Sequence, residues 1–259
     1  MNTEALANRI REHCLRMVFS AKSSHIASAL SIVDIVSVLY GATIKQSDKF
    51  ILSKGHACIA VYGALAEIGI LDKAELESFG KDFSRLMAHI SHHAPGVEFS
   101  TGSLGHGLPF GAGKAMAARL LNKASRVFVL LSDGELAEGS NWEAINFASH
   151  HKLSNLLAIV DYNKLQSLGL VEDILSVEPI SDRFKSFGWD AIEVDGHDHK
   201  HMIETLESWS ADSDRPTAII ARTIKGKGIS FMENNLEWHY RPPNDEEFHK
   251  ALSEVLGAQ

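Results

Sequence analysis

The chain has 259 residues, 45% of them hydrophobic, enough for a substantial core in one large α/β domain or two small ones. A net charge of −8 and the lack of a dense basic run argue against a nucleic-acid binder. No apolar run approaches a membrane span and the first turns are amphipathic rather than signal-like, so a cytoplasmic protein with buried, reduced thiols at Cys14 and Cys58 is expected.

Apolar residues recur at helical spacing over 4–20 and again, more densely, over 31–40. FILS (50–53) reads as a short strand, followed by Lys54-Gly55-His56 and a helix running to about Gly69. A short charged helix is expected over 72–79, and the histidine-rich stretch 83–99 reads as a long functional loop. The segment from Thr101 to Gly107 opens a small-residue helix that leads into the run VFVLL. That run ends at Ser132-Asp133-Gly134, and a second, LLAIV, ends at Asp161-Tyr162-Asn163. Between them Trp142, Ile145, Phe147 and Ala148 fall at helical spacing over 139–151. AIEV (191–194) and TAIIART (217–223) are further strands, separated by a helix near 201–209, and a last helix covers 245–256. The pattern predicts a single α/β domain over 1–259, with a central, mostly parallel sheet flanked by helices on both faces.

Strand, helix, strand across 127–163 reads as a right-handed βαβ unit, which brings Asp133 and Asn163 to the same sheet edge. An acid and an amide side by side offer hard oxygen ligands suited to Mg²⁺, which usually arrives with phosphates. Asp-Gly at a strand end also makes an ordinary turn, and Asn after a strand an ordinary cap. The other strand ends repeat the theme: SKGH, SDGE, DYNK, VDGHD and TIKGKG each set glycine or a polar residue where a ligand crevice forms.

Six segments in order, SKGHA (53–57), GVEFSTGSLGHGL (96–108), SDGELAEGSNWEA (132–144), NLLAIVDYNKLQSLG (155–169), FGWDAIEVDGHD (187–198) and TIKGKGISFME (223–233), carry a family resemblance. They resemble the N-terminal, diphosphate-binding domain of transketolases, which use thiamine diphosphate. The resemblance runs from about His25 to His239. It implies that Asp133, Asn163 and the carbonyl of Leu165 hold Mg²⁺, or another divalent cation such as Ca²⁺ or Mn²⁺, against the diphosphate. Gly134 would lie close to the diphosphate, and Gly102 and Leu104 beside the thiazolium ring. Glu138 resembles the acid that reaches across a domain interface toward the cofactor-activating glutamate. His25, His56, His89 and His239 match catalytic histidines near the sugar carbons, with His56 and His239 also meeting the diphosphate. A lone histidine is most often a surface or capping residue, so the motifs carry these assignments; His92 and His93 offer competing registers to His89, where Ile90 replaces the usual proline. Lys225 and Lys227 could touch phosphate or lie on a solvated surface, and His150, His151, His197, His199 and His201 are expected to be structural or exposed.

The resemblance further implies that the pyrimidine-binding and C-terminal domains reside on a partner chain. The expected assembly is an α2β2 split transketolase moving a two-carbon ketol unit from a ketose, commonly phosphorylated, to an aldose. This chain alone should be inert, and neither nucleic acid nor membrane is expected as a partner. Two other readings stand beside it: a non-catalytic thiamine diphosphate sensor or scaffold, and an E1 α-like subunit of a 2-oxo acid dehydrogenase. Ser132 and Tyr240 stand where relatives usually carry glycine, and His106 where many carry glutamine; these positions bear on substrate preference.

Overall fold

The computed structural model describes residues 1–211 and 213–257. Helices α1 (Thr3–Ala21), α2 (Ile26–Leu30) and α3 (Val33–Val38) precede strand β1 (Lys49–Leu52) and helix α4 (Cys58–Glu67). Helix α5 (Gly107–Leu120) leads to β2 (Val127–Ser132), α6 (Gly139–His150) and β3 (Leu156–Tyr162). Then come α7 (Val171–Ile174), α8 (Ile180–Ser186), β4 (Asp190–Asp195), α9 (His199–Ser208), β5 (Thr217–Arg222) and α10 (Asp245–Gly257).

The strands form one sheet in the order β1-β2-β3-β5-β4, and every pairing is parallel. Apolar residues occupy both faces, as a sheet covered on both sides requires. Because side chains alternate along a strand, Phe128, Leu130, Leu157, Ile159 and Ile219 join one core with α1 to α4, α9 and α10. Val127, Val129, Leu131, Leu156 and Val160 join a second core with α5, α6 and α8. Single α/β architecture with a five-stranded parallel sheet matches the expectation from sequence.

Some elements differ from the pattern. The apolar run 31–40 is not one helix: α3 ends at Val38 and a wider π-type turn covers Leu39–Thr43. The preceding α2 was not signalled, because a five-residue helix is too short to show a period. Its break from α3 sets Ser31 against the sheet, where its hydroxyl donates to Asp161 at 2.6 Å. The charged segment after Asp72 is 3₁₀ over Lys73–Ser78, capped by the Asp72 carboxylate. In α6 the buried side is carried by Ala144, Ile145 and Ala148, while Phe147 is 42% exposed. Cys14 and Cys58 are buried and free, and burial raises both thiols far above their usual range. Among the described residues no helix is long and apolar enough to cross a membrane.

Candidate active site

Register places the strand ends where the site forms. Ser132 pairs with Asp161 in β2 and β3, and the amide of Asp133 donates to the Asp161 carbonyl. Asp133 and Asn163 therefore leave adjacent strands at one edge, beside a cavity of about 240 Å³. Asp133, Gly134, Asn163, Leu165, Leu104, His56 and His239 line it together with Lys54, Gln166, Lys225 and Tyr240.

The Asp133 carboxylate accepts the amides of Gly134 and Lys164, both at 2.7 Å. Burial, with Asp161 nearby, still pushes its pKa up to about 6. Asn163 donates through Nδ2 to Ser31 Oγ and to Asp161, and its Oδ1 accepts the Leu165 amide at 3.0 Å. Behind them Lys54 Nζ lies 2.5 Å from Asp161 Oδ2, with both side chains essentially buried. Burial alone would raise the Asp161 pKa, but the Lys54 charge and the Lys54, Ser31 and Thr223 hydrogen bonds hold it below the usual carboxylate range.

Lys225 is 2% exposed, which rules out the solvated-surface alternative for this residue. Its Nζ donates to the Leu165 carbonyl at 2.9 Å and to His239 Nδ1 at 2.9 Å. Burial and the Lys54 charge lower its pKa to about 8. An ammonium can only donate, so His239 Nδ1 accepts and the ring proton sits on Nε2. Lys227 lies apart from the cavity, half-exposed, 3.7 Å from Glu233.

The imidazoles form one cluster centred on His25, whose ring lies 5.1 Å from His56, 4.9 Å from His239 and 5.9 Å from His89. His25 adopts φ 70°, an uncommon left-handed conformation for a non-glycine residue, and its amide donates to the His239 carbonyl. Burial lowers His25 to about 4 and His239 to about 3, and holds His56 well below its ordinary value. These three rings are therefore neutral at pH 7. His25 Nδ1 is buried without a partner. His89 is the member of its loop that reaches the cluster, whereas His92 packs on His93 and contacts Ser100. Gly102 is exposed, and its nearest neighbour for an added Cβ is His89. Glu138 is exposed at the rim, outside the cavity, packed on Gly105.

Gly55 belongs to the same frame: a Cβ there would come 2.2 Å from the Thr101 carbonyl, so glycine permits the SKGH turn to meet the segment carrying Gly102 and Leu104. Glu135, buried between strand ends, accepts from Ser53 Oγ and from the amides of Gly105 and Ser132. His197 and His199 are structural, as expected: both hydrogen bond to Asp34, which also pairs with Arg11 at 2.6 Å. His150 and His201 are exposed.

A doubly covered parallel sheet whose carboxyl edge gathers two buried lysines, three buried carboxylates and neutral imidazoles defines an α/β domain with its ligand crevice at the strand ends. Residues 2–259 match the family described as "Transketolase, thiamine diphosphate binding domain". The chain is 36% identical to a subunit of apulose-4-phosphate transketolase from Phocaeicola vulgatus, over 97% of this chain and 93% of that one. It is 39% identical to the protein of the same name from Actinobacillus succinogenes, over 91% of this chain and 89% of that one. Transketolase from Leishmania mexicana superposes with a TM-score of 0.92 at 27% identity, covering 98% of this chain but 41% of that one. The chain belongs to the transketolase family, of which it carries the thiamine diphosphate-binding domain.

The residues present fit that cofactor. Lys225 and Lys54 line the cavity, Lys54 with its ammonium tied to Asp161. Gln166 Nε2 is buried there without a partner, and a Cβ on Gly134 would sit 3.0 Å from the Gln166 side chain. Donors, cations and a close backbone approach are what a diphosphate requires. Among the described residues no three His, Cys, Asp or Glu side chains converge as a metal site, so a cation here would depend on amide and carbonyl oxygens beside Asp133.

Sequence reasoning missed Lys54, Asp161 and Gln166. Asp161 had a signal, since it lies two residues before Asn163 on an alternating strand and so faces the same side. Lys54 stood in a quoted motif, but nothing local shows that a lysine is buried.

Proposed function

We propose that this chain is one half of a two-chain transketolase, transferring a two-carbon ketol unit from a ketose phosphate to an aldose. The observation that carries the reading is the convergence of Asp133, Asn163 and Lys225 at the sheet edge with the His25, His56 and His239 cluster above them. The two bacterial relatives are themselves named as transketolase subunits and are matched over most of their length, which supports a partner that supplies the remaining domains.

In this reading Asp133, Asn163 Oδ1 and the Leu165 carbonyl would hold a divalent cation, Mg²⁺ in the cell, and the Lys225 ammonium beside them would offer its charge to the diphosphate. The Asp133 carboxylate, costly to ionise in isolation, gains the counter-charge it lacks. Lys54 stays on Asp161 and fixes the floor on which Asn163 rests. Gln166 Nε2 and His239 Nε2 are the free donors toward phosphate oxygens. When bound, the cofactor supplies the electron sink for breaking and forming the carbon–carbon bond. His25 and His56, kept neutral by burial, can each accept or donate one proton at a sugar hydroxyl, and His25 Nδ1 has no competing partner. His89, at the solvent side, meets the sugar further out. Glu138 projects from the rim toward the partner chain, which completes an α2β2 assembly in the cytoplasm.

The test is reconstitution. The chain, mixed with a partner carrying the pyrimidine-binding and C-terminal domains, should with thiamine diphosphate and Mg²⁺ convert a pentulose phosphate and an aldose phosphate into products changed by two carbons. Either chain alone should give no turnover. Cofactor binding by the complex without ketol transfer from any ketose would sink the proposal.

A further inference from the structure

Tyr240 has no part in the anion-binding floor, yet its ring sits over the histidines. The turn that carries it is anchored: Trp238 is buried, its Nε1 donates to the Phe231 carbonyl at 3.1 Å, and the short 3₁₀ helix Leu236–His239 follows an Asn235 cap. This turns His239 inward and leaves Tyr240 60% exposed at the mouth. The ring lies 4.6 Å from His239 and 5.7 Å from His25 and lines the cavity. The next residue, Arg241, is turned away, its guanidinium 4.1 Å above the Trp238 ring and paired with Glu247. This edge of the mouth therefore presents a flat, uncharged aromatic face with one hydroxyl, held in place before any ligand arrives.

We propose that Tyr240 is a specificity-determining residue whose ring forms the wall on which the carbon chain of the sugar packs beyond its two reacting carbons. The inference rests on the ketol-transfer reading and deepens it. A phenol ring recognises the C–H face of a polyol and reaches a hydroxyl through its own O–H, and it brings no formal charge to pair with a phosphate. Discrimination at this wall is thus by carbon-chain contact, and it is made equally in ground and transition states. Its loss should appear in KM rather than kcat.

The experiment compares wild type, Tyr240→Ala and Tyr240→Phe in the reconstituted two-chain enzyme, with a pentulose phosphate and with hydroxypyruvate as donors. Hydroxypyruvate has no sugar carbon chain beyond the ketol unit and serves as the internal control. Tyr240→Ala should raise KM for the pentulose phosphate about fivefold, as loss of one aromatic contact implies, while kcat stays within about twofold. KM for hydroxypyruvate should stay within about twofold, and Tyr240→Phe should keep both donors near wild type if the ring supplies the contact. Equal changes for the two donors, or none, would overturn the assignment while leaving ketol transfer intact. A wild-type complex that transfers nothing from either donor would overturn the parent reading and this one with it.

Discussion

Lys54 Nζ and Asp161 Oδ2 lie 2.5 Å apart beneath the site, with 1% and 0% of their side chains exposed. Lys54 also donates to the Ser28 carbonyl, so the pair ties the SKGH turn to α2 and to the end of β3. Removing one partner leaves a buried charge unpaired. Lys54→Met should therefore cost about 3–5 kcal/mol of stability in urea denaturation, and the double variant Lys54→Met, Asp161→Leu less than the sum of the singles. A single-variant loss below about 1 kcal/mol, the value of an exposed pair, would show the contact to be dispensable.

Acid should destabilise the cofactor-free chain in a defined window. His25, His239 and His56 have folded pKa values below the unfolded 6.5, the first two about 4 and about 3. As pH falls from 6.5, the unfolded chain takes protons at these positions and the folded chain does not, so stability is lost. Asp133 works the other way between 3.8 and about 6, because its folded pKa is raised. Glu135, whose pKa burial also raises, acts in the same sense as Asp133. The three histidines outweigh these two, and the melting temperature should fall from pH 7.5 to pH 5. A flat or rising profile over that range would contradict the buried, neutral cluster.

Cation and cofactor should stabilise jointly. Thiamine diphosphate with Mg²⁺ at about 100 times the dissociation constant should add about 2.7 kcal/mol, read as a thermal shift. Asp133→Ala should abolish the Mg²⁺-dependent part. The shift should also shrink at pH 5.5, where a proton competes for a carboxylate whose pKa is about 6. A shift that survives Asp133→Ala would place the cation elsewhere.

His197 holds the backbone one residue before Lys225 and should thereby help position it. The Ile224 amide donates to His197 Nε2 at 2.9 Å, which puts the ring proton on Nδ1 toward Asp34. Gly226, at φ 85°, lies so close to Met232 that a Cβ would come 2.2 Å from its carbonyl, so the loop has little room to readjust. His197→Ala leaves the Ile224 N–H without its acceptor and should cost about 1–3 kcal/mol in chemical denaturation. Calorimetry should also show weaker thiamine diphosphate binding. Unchanged cofactor affinity would separate His197 from the site.

Glu138 is exposed at the rim. Glu138→Ala should leave the melting temperature and the Mg²⁺-dependent thermal shift of this chain alone at wild-type values, yet lower turnover of the reconstituted complex at least about tenfold if it supports an activated proton transfer. Full turnover in the variant would remove Glu138 from the interface.

Much of this was legible in the residues. Five β-rich runs, each closed by glycine or a polar residue, predicted the strands, and the βαβ reading of 127–163 brought Asp133 and Asn163 together as the register does. Where reading failed, the cause was tertiary. The apolar run 31–40 looks like one helix, because the demand that turns Ser31 toward Asp161 comes from a strand 130 residues away.

The amino-acid order by itself determined which strands form, which faces they bury and which side chains stand at their ends, because a period of two or of 3.6 is written in neighbouring residues. Tertiary structure alone decided that Lys54 and Lys225 are buried and that Tyr240 covers His25. A charge can be buried only where a partner waits, and Asp161, 107 residues from Lys54, is brought near it because β1 and β3 lie on either side of β2 in the sheet.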